Sequence, residues 1–125
     1  MKKVIIDTNF LMIPFQFNID IVSEIKNLVL NNYEIIILKK SIDELNKIMI
    51  NSKGKTKLYA KMAISLAKKL KIIDSKSKKY VDDIIVDLTD ENVIVCTQDK
   101  KLKERVKEKK GKVIGMKQKL HLIYQ

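Results

Sequence analysis

Five acidic side chains sit where their types and spacing suggest shared chemistry. Asp7 follows the apolar run Val4-Ile5-Ile6, Glu44 closes Ser41-Ile42-Asp43-Glu44, Asp82 and Asp83 are adjacent, and Asp99 ends Thr97-Gln98-Asp99. The chain has one cysteine and one histidine, so a metal centre built from it would be oxygen-rich. Carboxylate oxygens select hard divalent cations such as Mg²⁺ or Mn²⁺. One or two such ions in a carboxylate cleft activate water and stabilise the leaving oxygen in phosphodiester cleavage, and two would lie about 3.5–4 Å apart. Each acid also fits a plainer role when taken singly. Asp7 fits an Asx-turn, Glu44 a capping box, Asp82 and Asp83 a helix dipole, and Asp99 an N-cap.

The elements that must position these acids can be read from periodicity. Lys3–Ile6 and Glu34–Leu38 are short β-branched runs, read as buried strands. Lys71–Asp74, Val93–Thr97 and Lys112–Met116 follow as further strands. Between them, helices are predicted from Asn18 or Asp20 to about Asn31, and from Ser41 to about Ile50 with Ser41 as its cap. Others are predicted over Leu58–Leu70, Tyr80–Thr89, and from Asp99 to about Lys110. In the Leu58–Leu70 helix the inward face is read as Leu58, Met62, Leu66 and Leu70, and Asn51–Thr56 is read as a loop. Gly111 is expected to end the last helix. Residues 117–125 form a tail with no assigned structure.

Strands alternating with helices predict one α/β domain over residues 1–125, with a central parallel sheet of four or five strands between two helical layers. In such a sheet ligands bind at the carboxyl ends of the strands, near the switch in strand order. Asp7, Glu44, Asp82, Asp83 and Asp99 would all fall on that rim.

The charge is segregated. The net charge is +11, yet residues 1–52 balance at zero. Residues 53–79 carry ten Lys and one Asp, residues 80–99 carry six acids and no Lys or Arg, and residues 100–125 carry ten bases against two acids. A basic excess favours polyanionic partners, and clustered acids repel until a cation neutralises them. The bases are 25 Lys and a single Arg, Arg105. Lysine is a point charge rather than a bidentate reader, which favours contact with the phosphate backbone. Lys53, Lys55, Lys57, Lys100, Lys101, Lys103 and Arg105 are the candidate contacts to a phosphate backbone. Seven aromatics and no Trp offer few stacking platforms, so little base reading is expected.

Several classes drop out. Gly54, Gly111 and Gly115 fit neither phosphate-loop glycine pattern. A lone Cys96 makes neither an internal disulfide nor a cysteine zinc cage, and is expected to pack in a strand in a reducing cytoplasm. Lys2 and Lys3 precede too short an apolar run for a signal peptide, and no run approaches membrane-spanning length. Asp7-Thr8-Asn9 lacks the Asp-x-Asp of haloacid dehalogenase-type phosphatases, and the acidic pair of receiver domains is missing. His121, alone near the end of the chain, is read as incidental. Phe10 to Phe17 is read as core packing or as a surface for pairing with a second copy.

Asp7-Thr8-Asn9-Phe10-Leu11, Glu44-Leu45, Asp82-Asp83-Ile84-Ile85 and Thr97-Gln98-Asp99-Lys100-Lys101-Leu102 together resemble, in order, the four motifs of PIN-domain ribonucleases. The resemblance covers nearly the whole chain. Tyr80-Val81-Asp82-Asp83 and the Asp99–Arg105 stretch look most like the archaeal-type ribosome-biogenesis branch, which acts in small-subunit rRNA maturation. The likeness to VapC-type toxins is looser. The resemblance implies metal-dependent cleavage of single-stranded RNA, with pre-rRNA as the expected partner and possible homodimers. It implies Asp7, Glu44, Asp83 and Asp99 as the catalytic and metal-binding acids. Asp83 is preferred over Asp82 because Ile84, Ile85 and Val86 follow it. Thr8, Asn9 and Thr97 would support these acids by hydrogen bonds. A PIN-fold RNA-binding assembly factor with little catalysis and a VapC-type toxin ribonuclease are the alternatives.

Overall fold

The computed structural model describes residues 1–125. The β1 strand (Lys2–Ile6) is followed by a 3₁₀ turn (Asn9–Met12), α1 (Ile13–Phe17), α2 (Ile21–Leu28), β2 (Tyr33–Leu38), α3 (Lys39–Asn51) and α4 (Gly54–Ala67). Then come β3 (Lys71–Ile73), α5 (Val81–Leu88), β4 (Val93–Cys96), α6 (Lys100–Glu108), β5 (Lys112–Lys117) and β6 (His121–Tyr124). The strand order is β3-β2-β1-β4-β5-β6. All neighbours are parallel except β5 and β6, which pair antiparallel.

The β1 strand shows why this is a three-layer fold. Its side chains alternate across the sheet, as period two demands. Val4 and Ile6 join one apolar cluster with Ile21 and Ile25 of α2, Leu45 of α3, and Ala60 and Ala63 of α4. Ile5 joins a second cluster with Ile84 and Ile85 of α5 and Leu102 and Val106 of α6. Strand β1 is therefore buried on both faces, which explains its unbroken apolar run.

The sheet has six strands rather than four or five. The extra one is β6, inside the unassigned tail. The turn before it carries Gln118 and Lys119 in left-handed backbone, with φ of 52° and 59°. Hairpin turns of that hand usually announce themselves with Gly or Asn, and neither is present here.

Three local expectations need correcting. First, α3 begins at Lys39 directly from β2 and has no side-chain cap, so Ser41 lies inside the helix. Ser41 is buried and its hydroxyl has no hydrogen-bond partner. Second, α4 starts at Gly54, which leaves only residues 52–53 between the helices, and its buried face is Ala60, Ala63, Ile64 and Ala67. Leu58 and Met62 face outward at 52% and 39% exposure. Alanines allow a close approach of α4 to α3 and the 3₁₀ turn, which larger residues would block. Third, the Phe10–Phe17 stretch folds as the 3₁₀ turn and α1, with Pro14 in the first turn of α1, where a missing N–H costs nothing. Phe10, Leu11, Met12 and Ile13 are all buried, so they form core and not a pairing surface.

Gly111 also acts differently from expectation. The left-handed residue after α6 is Lys110, with φ of 66°. Gly111 is required for space: a Cβ there would stand 2.5 Å from Thr89 Cγ2 and 2.8 Å from Val106 Cγ1, both on buried residues. Gly111→Ala should therefore destabilise the fold by about 1–3 kcal/mol through overpacking, read as a lower urea midpoint. An unchanged midpoint would mean that α6 moves freely against the Thr89 turn.

Candidate active site

Strand order reverses direction between β1 and β4. The chain winds from β1 through β2 to β3 on one side, then crosses to β4 and β5 on the other. The carboxyl ends of β1 and β4 thus open side by side, the usual crevice of an open α/β sheet. Asp7 leaves the end of β1, and its N–H donates to the carbonyl of Cys96 at the end of β4 at 3.0 Å.

Two threonines fix the acids around this crevice. The Thr97 hydroxyl donates to Asp7 Oδ2 at 2.8 Å and accepts from the Asp99 N–H at 3.1 Å. The Thr8 N–H donates to Asp7 Oδ1 at 2.8 Å, and the Thr8 hydroxyl donates to Glu44 Oε1 at 2.6 Å. Both threonines are buried. Asp99 also caps α6, with Oδ1 accepting from the Leu102 N–H at 3.1 Å. The plain and the chemical readings of Asp99 therefore hold together, because one oxygen caps while the other stays free of the helix.

Three adjoining cavities form one trough. The central one, of about 350 Å³, is lined by Asp7, Thr8, Asn9, Glu44, Tyr80, Asp82 and Asp99. It shares Asp7, Asn9 and Asp99 with a cavity of about 360 Å³ on one side. It shares Thr8, Asn9, Glu44 and Tyr80 with one of about 520 Å³ on the other, which adds Lys40 and Lys47. Burial pushes the Asp7 carboxyl above its ordinary range, and the nearby charges of Glu44 and Asp99 add to this. The hydrogen bonds from Thr97 and Thr8 pull the other way. The carboxylates line one trough, yet no three are drawn together into a ready metal cluster.

Asp82 lines the trough, whereas Asp83, the preferred member of the pair from sequence, does not. Asp83 accepts from Arg105 Nη2 at 2.8 Å, with Asp82 Oδ2 3.7 Å from Arg105 Nη1. Arg105 is thus tied to the first turn of α5 rather than left free for an RNA strand.

Residues 4–119 match a family model described as a PIN like domain. The chain belongs to the PIN-like domain family. Ribonuclease VapC4 of Methanocaldococcus jannaschii is 36% identical over 123 residues, covering 95% of this chain and 93% of the relative. Ribonuclease VapC9 of Archaeoglobus fulgidus is 26% identical over 106 residues, covering 84% and 76%. The solved structure of the PIN domain endonuclease Utp24 superposes with a TM-score of 0.78, covering 98% of this chain and 90% of that one. Its sequence identity is 22%, so this likeness speaks to fold.

The candidate basic contacts of this PIN-like domain lie outside the trough. Lys53, Lys55 and Lys57 are exposed at the start of α4, and Lys100 and Lys101 are exposed at the start of α6, but none lines the trough. Lys103 turns to the Gln125 side chain. The trough's own cations are Lys40 and Lys47 of α3, which sequence reading missed. They lie one turn either side of Glu44 on the same helix face, the helical spacing that could have found them. Tyr80, 77% exposed and read from sequence as a helix start and part of a motif, is the aromatic of the central cavity. His121 is exposed at the start of β6 and lines none of the three cavities. No helix is long and apolar enough to cross a membrane.

Proposed function

We propose that this PIN-like domain is an endoribonuclease that cuts single-stranded RNA with Mg²⁺ or Mn²⁺, one or two ions, held by Asp7, Glu44, Asp82 and Asp99. The observation that carries this reading is the convergence of those four carboxylates, from four separate elements, on one trough at the switch point of the sheet. The donor set suits the ion: it is all carboxylate oxygen, and Cys96 is buried and away from it. Such a cation, when bound, supplies an activated water and a counter-charge for the phosphodiester.

The chain's own residues do the rest. Thr97 and Thr8 hold Asp7 in one orientation and link it to Asp99 and Glu44. Lys40 and Lys47 attract the phosphate backbone on the Tyr80 side of the trough, and Tyr80 offers an exposed ring for stacking. Asp83 and Arg105 brace the first turn of α5 so that Asp82 faces the trough. The outlying lysines Lys53, Lys55, Lys57, Lys100 and Lys101 extend the positive surface beyond it.

Thr97→Val keeps the shape of the side chain and removes the hydroxyl between Asp7 and Asp99. Cleavage should fall about 10–100-fold and the metal concentration for half-maximal rate should rise, as when a ligand's hydrogen-bonding support is lost. A titration that superposes on wild type would show that the threonine does not orient the acids.

Two targets fit this enzyme, and the curated relatives named Ribonuclease VapC favour a free-standing ribonuclease of that type over an enzyme confined to pre-rRNA. The deciding experiment is metal-dependent cleavage of single-stranded RNA spanning a small-subunit rRNA processing site, beside an unrelated single strand. Mn²⁺, Mg²⁺ and EDTA are compared. Cutting of the processing site alone supports a role in cytoplasmic rRNA maturation. Cutting of other strands, with growth arrest on expression, supports the VapC type. RNA binding with no cutting in any metal overturns the enzyme and leaves an assembly factor.

A further inference from the structure

We propose that the cavity beside Asp7 and Asp99 is a base pocket that selects a keto base, uracil or guanine, next to the bond being cut. This rests on the nuclease reading above and deepens it. The cavity measures about 360 Å³ and borders the acidic centre through Asp7 and Asp99. A nucleotide whose phosphate lies among the acids therefore has a neighbouring base within reach of this cavity.

The lining divides into two chemistries. Ile13, Phe17 and Met116 give an apolar surface, and Asn9, Gln16 and Gln98 give carboxamides. Flat aromatic bases want such a pairing: an apolar face to stack on and polar groups for the edge. Lys119 stands over the ring of Phe17, one of the lining residues, 5.6 Å from its centre, a cation for a flanking phosphate.

Gln98 supplies the selectivity. Its Oε1 accepts from the Met116 N–H at 2.7 Å. That bond ties the oxygen to the β5 backbone and so fixes which way the carboxamide faces. What remains is the Nε2 amino group, a pure donor. Gly115 makes the arrangement possible, since a Cβ there would stand only 2.9 Å from Gln98 Oε1. A free glutamine pairs with adenine by donating and accepting at once. With its oxygen held on the β5 backbone, Gln98 meets a base through Nε2, a donor, and so it matches the carbonyl edge of uracil or guanine. Asn9 and Gln16 are exposed and make no hydrogen bond that would fix them, so they adapt to either edge. Selection at one position agrees with a chain poor in aromatics, which reads one base and otherwise holds backbone.

The test has a cleavage arm and a binding arm. In the first, a random-sequence single-stranded RNA pool is cut in Mn²⁺ and the new ends are sequenced. In the second, the Asp7→Asn protein is titrated with an unsubstituted oligoadenylate and with ones carrying one uracil, guanine or cytosine, followed by fluorescence anisotropy. Wild type should enrich uracil and guanine at one position flanking the cut, and the titrations should favour those oligomers by about tenfold, the scale of one good base contact. Gln98→Glu keeps the acceptor for the Met116 N–H and turns the free donor into an acceptor. Its preference should shift to adenine and cytosine even though overall affinity drops. Phe17→Ala should weaken all four oligomers alike. Cutting with no base bias at any flanking position overturns the pocket and leaves the nuclease reading standing. A bias that Gln98→Glu does not alter also overturns it. Failure of wild type both to cut and to bind any single strand overturns the nuclease reading together with the pocket.

Discussion

Asp7→Asn should abolish RNA cleavage, lowering it by about a thousand-fold, while the protein stays folded. Asp7 is the one acid that both threonines hold and that the other carboxylates press upon. An amide cannot supply the negative charge that the proposed cation requires, and loss of one charge-stabilising group costs about 10²–10³-fold in rate. Stability should move the other way. Burial raises the Asp7 carboxyl above 3.8, its unfolded value, so the folded state binds this proton more tightly than the unfolded state does. The sign follows from linkage: as pH rises from the unfolded value through the raised one, folding loses stability to this charge. At neutral pH the asparagine variant is spared that cost. Its Tm in metal-free buffer should equal or exceed that of wild type, and the gap should close as pH falls below about 4. A fall in Tm by many degrees together with lost activity would show that the variant had unfolded, and Asp7→Ser would then be the variant to measure.

Phe10→Ala should be the most damaging single change to the fold. The ring is 1% exposed, among the largest fully buried side chains, and lies in the first apolar cluster. Its own N–H donates to the Asp7 carbonyl at 3.1 Å, so the residue that closes the turn after Asp7 also anchors it to the core. Truncating a buried Phe costs about 3–5 kcal/mol through lost transfer energy and the cavity left behind. For a domain of this size that is a fall in Tm on the order of 10–20 °C. Phe10→Leu fills much of the space and should cost roughly 1–2 kcal/mol. Thermal melts of both variants check the pair, and equal losses would mean that the ring edge, rather than volume, is what matters there.

The positions of Asp7 and Asp99 were legible because one apolar strand ends just before Asp7 and another three residues before Asp99. Burial on both faces of β1 and β4 leaves no periodicity to misread, and the first polar residue marks the sheet's edge. For Glu44 the plainer reading, a capping box, is the one the structure removes. Ser41-x-x-Glu44 has the form of a capping box, but β2 runs directly into α3, so the helix starts two residues earlier and Glu44 points to Thr8 instead. The choice between Asp82 and Asp83 turns on one residue of helix rotation, about 100°, which is set by how α5 packs and by Arg105, twenty-two residues away. The inner face of α4 was misread at Leu58 and Met62, though Leu66 and Leu70 do pack on the core, because large apolar residues look like core whereas the α3–α4 contact is built on alanine. Strand β6 was invisible because its turn is made by glutamine and lysine.

The hydrogen bond from Thr97 to Asp7 joins residues 90 positions apart. During synthesis, then, a ribosome has long since finished Asp7 and Glu44 before the strand that completes their setting exists. The first three-fifths of the nascent polypeptide holds two of the four trough acids, and β1 has only one of its two sheet neighbours. Contacts between distant parts of a chain form late, because loop closure must precede them. A half-made molecule is therefore unarmed, and any cutting power waits for nearly the whole polypeptide to emerge. For a protein proposed to cut RNA, made on a machine built of RNA, the topology itself provides that delay.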